Sequence, residues 1–387
     1  MYRVGVKPLV ALFRITVLTA VAGSAAVALA ANPVAAVVAE RERSPKGLAG
    51  ATRFAKVEVG ADVTTRKLGT LTHASDAVVR GEPLRDGVGL KAIAVVADDA
   101  PGNADFGAAL FLVDARGLVD ARGSAPRRLA TGVVHASRPL VGDDGLIYVQ
   151  RGVVGGPAVA PSASGDGRAA ALRIDALEID AVDPDTGAIR VVMTWNGYAT
   201  HLAGSLGSDL VVYRVGPAGA EIVRVTRMTG RTRVVAKVAP FARDFTVDGG
   251  RRSLVYANRH EADPSTWLVE RLDLETGART RVSATKHDSQ TPFAAAGTVL
   301  SSAPERRGLA TTSGEVLSPF GAGYTYVTHA GEGGWLALAH VPEAARERRP
   351  LDQTGLFERA SGRLIPLGSA TLRVDVMGFV AASGALR

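Results

Sequence analysis

There is no cysteine in the 387 residues. A disulfide framework is therefore excluded, as are a cysteine-ligated metal site, a thiol nucleophile and a lipid-modified N-terminal cysteine. Aromatic residues make up only 5%, and basic residues are scattered with no long cluster, which argues against a nucleic-acid stripe. Long helical patterns are missing too: between residues 50 and 387 no segment keeps a 3.6-residue apolar period over four turns, and AARERR (344–349) is at most a short helix. The familiar catalytic texts are absent. There is no G-x-S-x-G, since AGSLG (203–207) has Ala for the first Gly, and there is no H-E-x-x-H, phosphate loop or dinucleotide fingerprint. DPDTG (183–187) resembles a calcium loop only in its first residues and lacks the full ligand series. A peptidase built on an appended α/β-hydrolase domain would not fit in this length. No cofactor and no metal site is expected.

Apolar residues make up 47% against 21% charged, enough to bury a full core. The one long apolar run is at the start. Arg3, Lys7 and Arg14 precede ITVLTAVAGSAAVALA (15–30), and Ala28-Leu29-Ala30 offers a small-x-small cleavage site. Residues 1–31 are read as a signal peptide cleaved near Ala30, giving a periplasmic or secreted protein with no stable membrane insertion; the alternative is an anchor through an uncleaved N-terminal segment. Removing the leader lowers the formal charge from +7 to +4. Residues 32–50 are read as a flexible linker.

The rest of the chain repeats itself. DLETGARTRV (273–282) restates DPDTGAIRVV (183–192), and TRMTGRTRVV (226–235) is a weaker copy. The turn glycines Gly187, Gly230, Gly277, Gly314 and Gly362 are 43, 47, 37 and 48 residues apart, near the period of a four-stranded propeller blade. Apolar strands follow Gly/Asp turns at 91–97, 145–150, 209–214, 253–258, 298–303, 335–340 and 376–381 in the same phase. Each unit parses as strands a to d: in 199–238 these are ATHLAGS, DLVVYRV, AEIVRVT and RTRVVAKV. The repeated T-G text is then the c–d hairpin, with Gly at the positive φ that a side chain resists. The prediction is an all-β, seven-bladed β-propeller over 51–387, with six or eight blades as alternatives and an insertion at 151–172. The chain runs out inside its last unit, so N-terminal strands near 54–71 are expected to pair with 369–381 and close the ring.

These units resemble the repeats of TolB-type (WD40-like) propeller proteins, whose blades carry P-x-W-S-P-D-G before strand b and D-x-x-T-G-x-x-R-x-L after strand c. The matching text is RPLVGDDGLIYV (138–149), FTVDGGRRSLVY (245–256) and DLETGARTRV (273–282), with Leu140, Leu202, Phe245 and Phe293 where the family has tryptophan. The resemblance covers roughly 80–387 and implies the fold, not an activity.

Five of seven histidines lie at or just before inner strands: His73, His135, His201, His287 and His329. In a propeller this position is near one mouth of the central channel. One reading is a ring of imidazoles, with Asp76 and Asp288, facing a metal or an anion. The plainer reading is one structural histidine per blade, bonded to a neighbouring turn. The b–c loops, 98–106, 151–172, 258–266 and 341–352, share one face and carry charge of both signs, including Arg259, Arg346, Arg348 and Arg349. That face is expected to bind a protein or polar ligand, and the opposite face to offer little beyond its tight turns. Together these features suggest an exported, monomeric, non-catalytic binding scaffold that does not bind nucleic acid. The alternative is a propeller enzyme, a metal-assisted lyase or hydrolase acting on a carbohydrate or lactone through the histidine cluster.

Overall fold

The computed structural model describes residues 33–86, 89–97, 107–114, 126–134, 138–154, 174–196, 199–260, 262–286, 290–295, 297–302, 307–343 and 353–380. They belong to one compact unit, Asn32–Arg387. Among the described residues the regular structure is strand throughout, apart from a 3-10 turn at Glu332–Gly334. The strands form one five-stranded sheet, two four-stranded sheets and two eight-stranded sheets.

The two four-stranded sheets follow the repeat parsed from the sequence. One is Ala199–Leu206, Asp209–Gly216, Gly219–Thr226 and Thr232–Val238; the next is Arg243–Asp248, Ser253–Arg259, Thr266–Asp273 and Arg279–Lys286. Every neighbouring pair in them is antiparallel. Each eight-stranded sheet is two such runs joined by a minimal bridge. In one, a single pairing, Arg151↔Val133, makes the join; in the other, two parallel pairings join Arg307–Thr311 to Gly323–Ala330.

The five-stranded sheet contains both ends of the described chain. Leu372–Val380 pairs with Val34–Ser44, which pairs with Ala51–Val59, which pairs with Val63–Thr72; Gly47–Leu48 is a short fifth strand beside Ser44. Strands near 54–71 and 369–381 thus share a sheet, as expected, but they do not pair with each other. Residues 34–44, read from sequence as part of a linker, lie between them. The C-terminus supplies one strand and the N-terminus four, counting the short Gly47–Leu48. The reason the sequence misleads here is burial on both faces. Ala35, Val37 and Ala39 pack towards Ala92, Ala94 and Val113, while Val34, Ala36 and Val38 pack towards Trp335, Ala337 and Leu356. A strand covered on both sides shows no alternation, and here it follows directly on an apolar leader.

The T-G hairpins are where one sheet grips the next. All five turn glycines have left-handed φ: Gly187 +76°, Gly230 +66°, Gly277 +75°, Gly314 +85° and Gly362 +71°. Two of them also press on the outer strand of the preceding sheet. A Cβ on Gly230 would lie 2.3 Å from the Val192 carbonyl oxygen, and one on Gly277 would lie 2.6 Å from that of Val235. The third residue of the phrase adds charge. Glu275 receives Arg224 from the preceding sheet at 2.7 Å, with Arg233 at 3.4 Å and Arg252 also bonded to it. Asp185 receives the buried Lys91 amine at 3.3 Å. These hairpins are therefore not bare turns, as the sequence reading held, but latches between successive four-strand runs.

A difference between two glycines tests this. Gly187 has open space where a Cβ would go, whereas Gly277 faces a backbone carbonyl. Gly187→Ala should cost about 1–2 kcal/mol for the left-handed backbone alone, and Gly277→Ala should cost clearly more. Urea unfolding of both variants measures this, and equal losses would contradict the packing role.

Candidate functional site

The first strands of the successive four-strand runs converge on one cavity of about 870 Å3. Its wall is built mainly from residues 76–82, 138–140, 201–205, 244–247, 291–293, 326–329, 373 and 375–377, with Arg41 among the others. Side chains alternate along each strand, so every contributing strand sends some residues into the lumen and others into the seams. Charged side chains reach the lumen from several strands: Arg80, Glu82, Arg138, Asp244, Arg373 and Asp375.

His201 and His329 both line this cavity. His201 lies 5.5 Å from the Phe245 ring. Burial, reinforced by the positive charges of Arg80 and Arg138, pushes its pKa down to about 4, so the ring is neutral at pH 7. His329 sits where a bulge at Val327/His329 interrupts its strand. Its Nε2 lies 3.3 Å from the Arg138 guanidinium and 3.9 Å from Glu82, and its Nδ1 lies 3.2 Å from Thr328 Oγ1. Burial is the main force lowering its pKa, with Glu82 opposing and Arg138 assisting. A neutral ring fits these bonds: Nε2 accepts from Arg138 and Nδ1–H donates to Thr328.

The arginines differ in how they are satisfied. Arg373 is paired with Asp375 at 2.9 Å. Arg138 also donates to the Thr328 carbonyl at 3.4 Å. Arg80 is open to the lumen but crowded by its walls. That crowding and the neighbouring Arg138 lower its pKa, and among the described residues no carboxylate lies within ion-pair distance of it.

Backbone strain gathers at the same place. Of the four non-glycine residues described at positive φ, three line the cavity: Asp76 at +58°, Asp244 at +56° and Thr291 at +34°. Each lies at the entry to an inner strand or in its first turn. Asp tolerates this region because its short side chain bonds locally; Asp76 accepts the Leu48 N–H at 2.9 Å. Thr291 is β-branched and tolerates it poorly, yet its hydroxyl is fixed by Ser302 Oγ at 2.7 Å and Tyr324 Oη at 2.9 Å.

The other expected residues fall elsewhere. His73 is not in the cavity wall. Its Nε2 bonds Thr52 Oγ1 and its Nδ1 bonds the Ala74 carbonyl, both at 2.7 Å, the staple role of the plainer reading. Arg259 is likewise away from the lumen, with its guanidinium 5.0 Å from the Trp267 ring centroid; Arg243 lies 3.9 Å from the same ring. His135, His287, Asp288, Arg346, Arg348 and Arg349 lie outside the described residues, as do most of the b–c loops. Arg80, Arg138, Glu82 and Asp244 were missed as site residues. One signal could have found part of the wall. Pro139, His201, Asp244 and Pro292 each directly precede the Leu or Phe at the repeat's tryptophan position, and all four line the cavity.

No family model matches the sequence, and no curated protein does. Among solved structures, a prolyl endopeptidase superposes with a TM-score of 0.53 at 13% identity, over 89% of this chain and 50% of that one. This chain has a β-propeller fold. It spans half the length of the endopeptidase, and at that identity the likeness is one of fold alone. TolB from Acinetobacter baumannii has a TM-score of 0.46 at 14% identity, over 89% of this chain and 67% of that one. An oligogalacturonate lyase in complex with manganese has a TM-score of 0.41 at 11% identity, over 85% and 77%. Among the described residues of the propeller, no helix is long and apolar enough to cross a membrane.

The depressed histidine has a consequence for stability. Its pKa is about 4 when folded and about 6.5 when unfolded. The unfolded chain therefore binds the extra proton between those values, and stability present above pH 6.5 is lost as pH falls towards 4. The melting temperature should decline across that window and decline less in His201→Gln. Parallel curves for the two proteins would show that His201 is not held neutral.

Proposed function

We propose that this protein is an exported, monomeric, seven-bladed β-propeller that works as a non-catalytic binding module, with the central channel as its site for a small polar ligand. The blade count takes each eight-stranded sheet as two blades joined by their short bridge, and the sheet shared by the two ends as one. Export follows from the positively charged, apolar leader at 1–31.

The observation that carries the reading is the convergence of the inner strands on one cavity of about 870 Å3 with His201, His329, Arg80 and Arg138 in its wall. That volume suits a small molecule better than a folded partner. Three strained residues in the same wall add to it, since strain of this kind gathers where a site must be held in shape. The metal-assisted enzyme reading has less support. The His329 nitrogen nearest the lumen charges already accepts from Arg138, and Arg80 and Arg138 both place positive charge beside His201, which opposes a divalent cation there.

A thermal-shift screen against small molecules of mixed charge tests the proposal. Hits should raise the melting temperature of the unaltered protein and lose their effect in Ser205→Trp and Thr246→Trp, two variants designed to fill the lumen, each first shown to be folded by circular dichroism. Hits that act equally on a folded variant would place binding outside the channel.

A further inference from the structure

We infer that His340 is a pH-sensitive clamp behind the channel wall: it holds the strained backbone at Thr291 while its ring is neutral and releases it when the ring takes up a proton. The clamp is independent of what the channel binds. His340 lies on Trp335–Pro342 and is 1% exposed. Its Nδ1 is 2.8 Å from Thr325 Oγ1, on the adjacent strand Gly323–Ala330, and Thr325 is itself wholly buried. The imidazole stacks on the Phe320 ring, with centroids 5.1 Å apart and planes 13° apart. Room for it comes from Gly323, where a Cβ would lie 2.5 Å from His340 Cε1 and 2.7 Å from its Nε2. The ring is thus enclosed on several sides, in a space that only a glycine at position 323 leaves open.

Hydrogen bonds carry this contact to the channel. The Thr325 carbonyl accepts from Ser302 Oγ at 2.9 Å. Ser302 Oγ is also 2.7 Å from Thr291 Oγ1, which is 2.9 Å from Tyr324 Oη. The Ser302 N–H donates to the Gln290 carbonyl at 2.8 Å. Thr291 is the β-branched residue of the channel wall at φ +34°. A backbone in that region persists only where its surroundings over-determine it. Both partners of its hydroxyl depend on the strand that carries Thr325: Ser302 through its bond to that residue's carbonyl, and Tyr324 as its neighbour in the chain. His340 is fastened to the same strand through the Thr325 side chain.

A proton on the ring upsets this arrangement. Among the described residues, Thr325 lies opposite His340 on one side strand and Gln353 on the other, with Phe320 stacked on the ring. None of these is charged, and no described carboxylate lies within ion-pair distance of the imidazole. An imidazolium buried without a counter-charge costs free energy, and burial accordingly lowers the ring's pKa. The clamped form, with its lowered pKa, is fully favoured above about pH 6.5, the value of a free imidazole, and gives way as pH falls below it. His201, in the channel wall, is also held neutral by burial, so local opening separates the two histidines where overall stability does not.

Amide hydrogen exchange of the unaltered protein at about pH 7.5 and about pH 5, corrected for the intrinsic pH dependence of exchange, tests this. Opening of Thr298–Ser302 and Gly323–Ala330 should rise at the lower pH by up to about thirtyfold, the ceiling set by a free imidazole pKa of about 6.5. Ser253–Arg259 and Val34–Ser44 should change far less. His340→Phe keeps a ring to stack on Phe320 but cannot take up a proton, and should abolish the rise. If that variant does not fold, His340→Gln, which can still bond Thr325, should do the same. Thr325→Val should raise opening already at the higher pH, and His201→Gln should leave the acid response in place. Three results would each overturn the inference: an unchanged acid response in either folded His340 variant, no acid response in the two strands, or a rise of the same size in Ser253–Arg259, which would make the response global.

Discussion

The ladder between Val34–Ser44 and Leu372–Val380 is the constraint on which the rest depends. It joins residues more than three hundred positions apart through pairings from Ala35↔Val380 to Glu42↔Leu372. The C-terminal strand is an inner strand, and Arg373, Asp375, Val376 and Met377 form part of the channel wall. Without its N-terminal partner this strand would present an open edge, and closing a ring is the way a propeller removes edges. Burial holds the partner in place. Ala35, Ala36, Val37 and Val38 are wholly inaccessible to water, and full burial of a valine side chain contributes about 1.5–3 kcal/mol. A channel with walls on every side is a consequence of that closure.

Sheet-to-sheet contact is built differently at the two radii. Between the sheets the seams are apolar, as where Leu206, Val211, Tyr213 and Ala242 meet Leu254, Tyr256 and Leu272. At the hairpin rim the seam becomes polar. Glu275 gathers arginines from the preceding sheet, and Arg227 bonds Asp143 while lying 3.2 Å from Asp144 in the sheet before its own. Glu275 and Asp143 are themselves largely open to solvent, so pairs of this kind add little stability singly. Their effect is on geometry: with glycine letting the hairpin approach a neighbour's backbone, they fix how far each sheet sits from the next, and so the width of the lumen.

How legible this was in the sequence follows from the physics of each feature. The c–d hairpins could be read because positive φ has a residue signature, and Gly187, Gly230, Gly277, Gly314 and Gly362 all adopt it. Half-buried strands such as Gly219–Thr226 could be read because they alternate. The strand Val34–Ser44 could not, because its apolar run is buried on both faces and continues the texture of the leader. Histidine phase pointed to His201 and His329, which line the cavity, but equally to His73, which is bonded to Thr52 and Ala74 instead. Arg80 and Arg138 escaped notice because a scattered arginine reads as solvated surface; only the fold places both in the wall of one cavity.

The central claim is that the N-terminal strand locks the C-terminal inner strand into a closed ring around the channel. Native-state amide hydrogen exchange, followed by mass spectrometry on peptides spanning Val34–Ser44 and Leu372–Val380, tests it most directly. The account predicts that both strands exchange only through global unfolding, together with the buried strand Ser253–Arg259. Exchange of Leu372–Val380 well ahead of Ser253–Arg259 would contradict it, because the ring would then open at its closing sheet while the rest stayed folded.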